Sequence, residues 1–134
     1  MFGSLDISAS ALVAQRTRLD VISANLAGQS SLTDAQGNYA PYRRRVVVFA
    51  SGDPSSGSAE GVHVQEIAFD PSEFRKVYDP GHKYADAEGY VNYPNVSPVI
   101  ENINAMEATR AYEANIAAAE ATKSMLQSSL RLLA

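Results

Sequence analysis

The sequence predicts an α+β fold in which long N- and C-terminal helices pair as an antiparallel coiled coil and a small antiparallel β element is inserted between them. Three observations carry this. An apolar stripe of helical period opens the chain, a second one closes it, and the segment between alternates polar with β-branched and aromatic residues. The chain divides into residues 1–28 (first helix), 29–96 (a loop and β-rich middle with a connecting arm) and 97–134 (second helix), all within one structural unit.

In the first helix Leu5, Leu12, Leu19 and Leu26 recur at a spacing of seven, with Ala9 and Ile22 at intermediate positions. That is a narrow seam of coiled-coil type. Gly28, directly after Ala27, is expected to end the helix in a left-handed conformation, which costs glycine nothing. Residues 29–38 are polar and read as a loop. Tyr42 to Ala50, YRRRVVVFA, has the β-branched content of a strand, and Val62 to Phe69, VHVQEIAF, alternates and should return antiparallel. The run between them, SGDPSSGSAEG, reads as a long flexible tip, and a short third strand is expected at Phe74 to Tyr78. From Asp79 to Val96, DPGHKYADAEGYVNYPNV is punctuated by Pro80, Gly81, Gly89 and Pro94, which makes it a non-repetitive arm. Ser97 is a candidate N-cap with Pro98 at the first helical position. The helix that follows carries the stripe Tyr112, Ile116, Ala119, Leu126, Leu130 and Leu133. At 1.5 Å per residue it would be about 54 Å long against about 36 Å for the first helix, so its free stretch needs partners from elsewhere.

Composition points the same way. Apolar residues are 46% of 134, yet only four are Phe and none is Trp, and much of the remainder is Ala, which buries little area. A core this thin calls on packing against other chains. The Ala-rich stretch RAYEANIAAAEATKSM adds to this, because small side chains on several faces let more than two helices approach closely. A net charge of −4, well mixed, argues against nucleic acid or anionic lipid as a partner. The absence of cysteine excludes disulfides and thiolate metal sites. The start, MFGSLDISAS, has none of the regions of a cleaved signal peptide, and no run approaches the roughly 20 apolar residues of a membrane span. The chain is therefore expected not to be membrane-embedded.

The arm is where chemistry would sit. His82 and Asp86 are four residues apart with Asp79 nearby, but Pro80 and Gly81 precede the histidine, Gly89 follows, and the only other histidine, His63, lies in an expected strand. The ligand arithmetic for a metal fails, and no nucleophile elbow or phosphate-binding glycine loop is present. The reading is of a protein that is not an enzyme and uses no cofactor and no metal. Tyr84, Tyr90 and Tyr93 offer large contact area with a polar tip, which suits docking. Arg43, Arg44 and Arg45 alternate across a strand and cannot all face one ligand, so a solvated edge or ion pairs to an acidic neighbouring subunit are expected of them.

SALVAQRTRLDVISANLAG resembles the entry helix of bacterial flagellar rod and hook proteins, in which a helix of small residues runs into V-I-S-x-N-[IL]-A. VYDPGHKYADAEGYVNYPNV, followed by AMEATRAYEANIAAAEATKSML, resembles the proximal rod members of that family, with their D-P-x-H-P-x-A-D-x-x-G-Y-V-x-x-P-N-V and R-A-Y-E-A-N patterns. Lys83 stands where the family usually has Pro, Ser97 where Asn is common, and NLAGQSS where N-I-A-N-A is usual. The resemblance implies a structural subunit of the proximal rod of the flagellar basal body, part of a periplasm-spanning drive shaft that transmits torque and encloses the export channel. The implied partners are other proximal and distal rod subunits, a rod-to-ring adaptor protein, further copies of the chain and, in transit, the flagellar export apparatus, with export requiring no cleaved signal peptide. The contact residues expected on this basis are Leu5, Leu12, Leu19, Ile22, Leu26, Tyr112, Ile116, Leu126, Leu130 and Leu133 in the seams. In the arm they are Asp79, Pro80, His82, Asp86, Gly89, Tyr90, Pro94 and Asn95. The alternatives are another flagellar axial subunit, either a second proximal or a distal rod protein, and an enzyme built on His82 and Asp86.

Overall fold

The structure, a computed structural model, describes residues 2–134. In chain order the elements are α1 (Phe2–Ala27), β1 (Arg45–Asp53), β2 (Ser58–Phe69), β3 (Arg75–Tyr78), β4 (Tyr90–Tyr93) and α2 (Pro98–Leu133). Two long helices flank a small antiparallel region, which is the α+β arrangement expected. Strands β1 and β2 form one hairpin and β3 and β4 a second.

The helices run antiparallel. Arg18 pairs with Glu107 at 3.4 Å and Asn25 bonds Glu101 at 3.3 Å, so moving back along α1 means moving forward along α2. Along α2 a row of buried and half-buried positions, Glu101, Ala105, Ala108, Tyr112, Asn115, Ala119, Thr122, Leu126 and Ser129, alternates steps of four and three, with Asn104 and Ala111 half-buried at its flank. This heptad row faces α1. It is made largely of small and polar side chains, so the two helices approach closely.

Helix α1 is covered on two sides. Ser8, Leu12, Gln15, Leu19, Ile22 and Leu26 are buried or half-buried in the row that meets α2. Ser10, Ala14, Thr17 and Val21, spaced four, three and four, line the side under the β1–β2 hairpin. The hairpin lies along α1 with its root at Asn25 and its tip beside Gly3 and Asp6, and between them the Ser10 hydroxyl donates to the Ile7 carbonyl and accepts the N–H of Val62 at 3.1 Å. At that crossing Gly61 has φ +91°, and a Cβ on it would meet Ser10 Oγ at 2.9 Å.

Several local expectations change. The hairpin strands extend further toward the tip than expected, to Asp53 and from Ser58, which leaves only Pro54 to Gly57 as the turn. Asp53 is the cause: its carboxylate accepts the Ser55 hydroxyl, the Ser55 N–H and the Ser56 hydroxyl at 2.6–2.8 Å. β4 was not anticipated, and it turns the end of the arm into a strand paired with β3, Val77 opposite Val91. Ser97 has extended geometry but makes no side-chain cap, its carbonyl instead accepting the N–H of Glu101. Gly28 is not left-handed, since among the described residues positive φ is confined to Gly37, Gly52, Gly57, Gly61 and Gly89. It is needed because the ring of Tyr42 lies on it: a Cβ would come within 2.7 Å of that ring.

The core is thin. Buried apolar side chains are Ala14, Val21, Ile22, Val91, Val96 and Ala108, and the largest side chain less than 2% exposed is a glutamate, Glu101.

Candidate functional site

Three features are built on this frame: a polar junction at the root of the hairpin, the arm, and the outer faces of α2. The junction gathers five segments. Asn25, 1% exposed, accepts the N–H of Arg45 at 2.9 Å and the phenol of Tyr42 at 3.0 Å, while its amide donates to the Arg45 carbonyl at 2.8 Å and to Glu101 Oε2. The amide thus meets Arg45 as a neighbouring strand would. Glu101 is fully buried, with Asn25 on one oxygen and Arg44 Nε on the other. Arg44 Nη1 continues to Asp70 at 3.0 Å, and Asn95 Oδ1 accepts the Arg44 N–H at 2.8 Å while its amide bonds Ser72 Oγ.

Burial alone would lower the Arg44 pKa, but hydrogen bonds and charge from Glu101 and Asp70 outweigh it and hold it above its ordinary value. The N–H and hydroxyl of Ser72, with Arg44 adding to them, hold the Asp70 carboxyl below its usual range. Burial pushes the Tyr42 phenol up, with Arg45 opposing. The basic run therefore finds its partners inside its own chain. Arg44 takes Glu101 and Asp70, Arg43 bonds the carbonyls of Asp70 and Ser72 and lies 4.3 Å from the Phe74 ring centre, and Arg45 stands over Tyr42 and Phe69.

In the arm, Asp86 Oδ1 accepts the N–H groups of Glu88 and Tyr90, both at 2.9 Å, and so folds the 86–90 turn. Gly89 in that turn has φ +86°, and a Cβ there would press on Tyr78 and Pro80 at 3.0–3.1 Å. His82 Nδ1 accepts the Tyr84 N–H at 3.1 Å. Tyr84 stacks on Tyr39 with ring centres 4.6 Å apart, and the Tyr39 hydroxyl both donates to the Asn92 carbonyl and accepts its N–H. These contacts dock the 29–40 loop on the arm. The pair of residues that chemistry would have used is thus occupied in turns, and among the described residues no group of three or more His, Asp or Glu comes together to hold a metal.

The structure distributes the expected contact residues unevenly. Leu5, Leu12, Leu19, Leu26, Tyr112 and Leu126 are half-buried and Ile22 is buried, whereas Ile116, Leu130 and Leu133 are exposed. In the arm Gly89 and Pro94 are buried, His82 and Asn95 half-buried, and Asp79, Pro80, Asp86 and Tyr90 exposed. Outside the α1 contact, α2 presents Val99, Ile103 and Met106 at 59–68% exposure and Met125, Leu130, Leu132 and Leu133 at 64–88%. With α1 starting opposite about residue 124 of α2 by helical rise, the contact between the helices ends near Leu126, and the turns beyond it have no partner helix among the described residues. Among the described residues no helix is long and apolar enough to cross a membrane.

Sequence reasoning missed Asn25, Tyr42, Glu101 and Asp70. The available signals were an Asn within the apolar row of α1 and a Glu one heptad before Ala108.

A helix pair with a hairpin laid along it and large apolar side chains left open has the surface of a subunit that neighbours complete. Residues 5–27 match the family described as "Flagella basal body rod protein", and residues 87–132 match "Flagellar basal body rod FlgEFG protein C-terminal". The chain is similar over nearly its whole length to proteins named "Flagellar basal-body rod protein FlgC". It is 45% identical to that of Bacillus subtilis (98% of this chain, 97% of the relative). Identity is 42% with that of Salmonella typhimurium (95% and 93%) and 37% with that of Borreliella burgdorferi (99% and 97%). The chain belongs to the FlgC family of flagellar basal-body rod proteins, and is a structural subunit of the rod.

Proposed function

We propose that the chain builds the proximal part of the rod, packing there against other proximal and distal rod subunits, a rod-to-ring adaptor protein and further copies of itself. In that position it spans the periplasm, transmits torque and encloses the export channel, after leaving through the flagellar export apparatus without a cleaved signal peptide. Membership of the family and the open apolar side chains of α2 support this reading: a helix whose last turns carry Leu130, Leu132 and Leu133 in solvent is stabilised when other helices cover it. The helix seams, of coiled-coil type, and the arm are proposed as the contact surfaces.

Deleting the gene tests the proposal. Cells are expected to lose motility and to yield basal bodies without a rod, and the plasmid-borne gene is expected to restore both. Motile deletion cells, or basal bodies that keep a complete rod, would refute it.

A further inference from the structure

We infer that the buried Arg44–Glu101 pair, with Asn25 and Asp70 beside it, is an angle lock that sets how the β1–β2 hairpin stands on the helix pair and contributes little to the free energy of folding.

The hairpin's backbone packs against α1, and among the described residues neither strand approaches α2 backbone to backbone. A ribbon seated on one helix retains a soft motion, rolling about the helix axis, because apolar contact has no direction. Here the contact is also weakly shaped, since Ser10, Ala14 and Thr17 are small. The bond from Val62 N–H to Ser10 Oγ pins the ribbon partway along α1, and a pin of this kind is an axis about which the ribbon can swivel. The second attachment is at the root and crosses to the other helix. Arg44, one residue before β1, reaches Glu101 on α2 with Nε and Asp70, one residue after β2, with Nη1. One planar guanidinium therefore ties the roots of both strands to α2, while Asn25 holds the Arg45 backbone to α1.

Hydrogen bonds between ionised groups are directional and fix orientation. Their net effect on stability is small when the carboxylate is fully buried, because desolvation offsets most of the attraction, and apolar replacements of similar volume often fold as well. What such replacements lack is direction.

The chain contains no cysteine, so spin labels can be placed at Ala59→Cys, exposed near the hairpin tip, and Glu113→Cys on an exposed position of α2. Pulsed electron paramagnetic resonance on the purified full chain then reads the distance distribution between hairpin and helix. For Arg44→Met/Glu101→Leu the unfolding midpoint is expected to stay within about 5 °C of the parent. The distribution is expected to widen about twofold, as the hairpin gains its rolling motion. Arg44→Lys keeps the charge but cannot span both carboxylates with one fork, so it should widen the distribution to a lesser degree. A double variant that folds with an unchanged distribution overturns the lock. So does one that no longer unfolds cooperatively, because the pair would then be a stabilising contact and not an orienting one.

Discussion

Gly28 is held to glycine by a ring and not by its backbone. Its φ lies outside the left-handed region, yet the Tyr42 ring occupies the space a Cβ would need, at 2.7–2.9 Å. Gly28→Ala is therefore expected to displace Tyr42, and with it the phenol bond to Asn25, at a cost of about 1–3 kcal/mol in urea denaturation. In a Tyr42→Ala background the same substitution should cost almost nothing, since the two positions share one contact. Additive costs would show that the ring is not the reason. Acid behaviour is likewise set by individual residues. Ser55 and Ser56 hold the Asp53 carboxyl down to about 2, and Ser72 with Arg44 holds Asp70 below the ordinary 3.8. Both folded-state pKa values are depressed, so the unfolded chain binds more protons in the window beneath 3.8. The stability these groups supply is complete above that value and lost as pH falls through the folded pKa, down to about 2 for Asp53. Stability measured by denaturant unfolding across this range should fall steadily with acid, and Asp70→Asn should flatten the slope. An unchanged slope in that variant would remove Asp70 from the account.

At the scale of elements, period was legible and partnership was not. Both helices could be read because apolar residues recur with a helical spacing, and their starts and ends fall within about two residues of expectation. The inward row of α2 was harder to read, because Glu101, Ala105, Ala108, Asn115, Thr122 and Ser129 carry no hydrophobic signal, whereas the large residues Leu130 and Leu133 that drew attention face outward. The partners of the arginine run were invisible for another reason: Glu101 is 57 residues from Arg44 and Asp70 is 26 away. β4 is four residues between a glycine turn and a proline, too short for alternation to show. Gln15 gives one test of the helix seam. It is half-buried in the row facing α2, and its Oε1 has no hydrogen-bond partner. Gln15→Leu removes that unmet acceptor and adds apolar area, so unfolding should become harder by about 1 kcal/mol. A lower denaturant midpoint would mean that the polar group is used. The arm gives another. Asp86→Asn keeps an oxygen for the Glu88 and Tyr90 N–H groups and should leave motility intact, while Gly89→Val, forced to φ +86° against Pro80 and Tyr78, should abolish it. The reverse pattern would return the arm to chemistry.

The whole molecule exposes 8897 Å², whereas a compact monomer of 14.4 kDa would expose about 6,800 Å², an excess of about 2,000 Å². That excess is of the size that stable protein interfaces bury, and it fits a subunit whose second helix outruns its first. Folding of the single chain and its assembly should therefore be separable by substitution. Leu126 is half-buried within one chain and Leu130 is 64% exposed, although only four residues part them. Leu130→Asp is expected to change the unfolding free energy of the purified chain by less than about 0.5 kcal/mol, since the charge stays in water. In the rod the same carboxylate would be enclosed by neighbouring helices without a partner, at a cost of several kcal/mol per copy. Cells carrying Leu130→Asp should make the protein at normal level and fail to spread on soft agar. Leu126→Asp should lose stability as well as motility, because it also breaks the contact with α1. Normal swimming by the Leu130→Asp strain would mean that this face of α2 stays in water in the assembled rod, and that the excess surface is covered elsewhere.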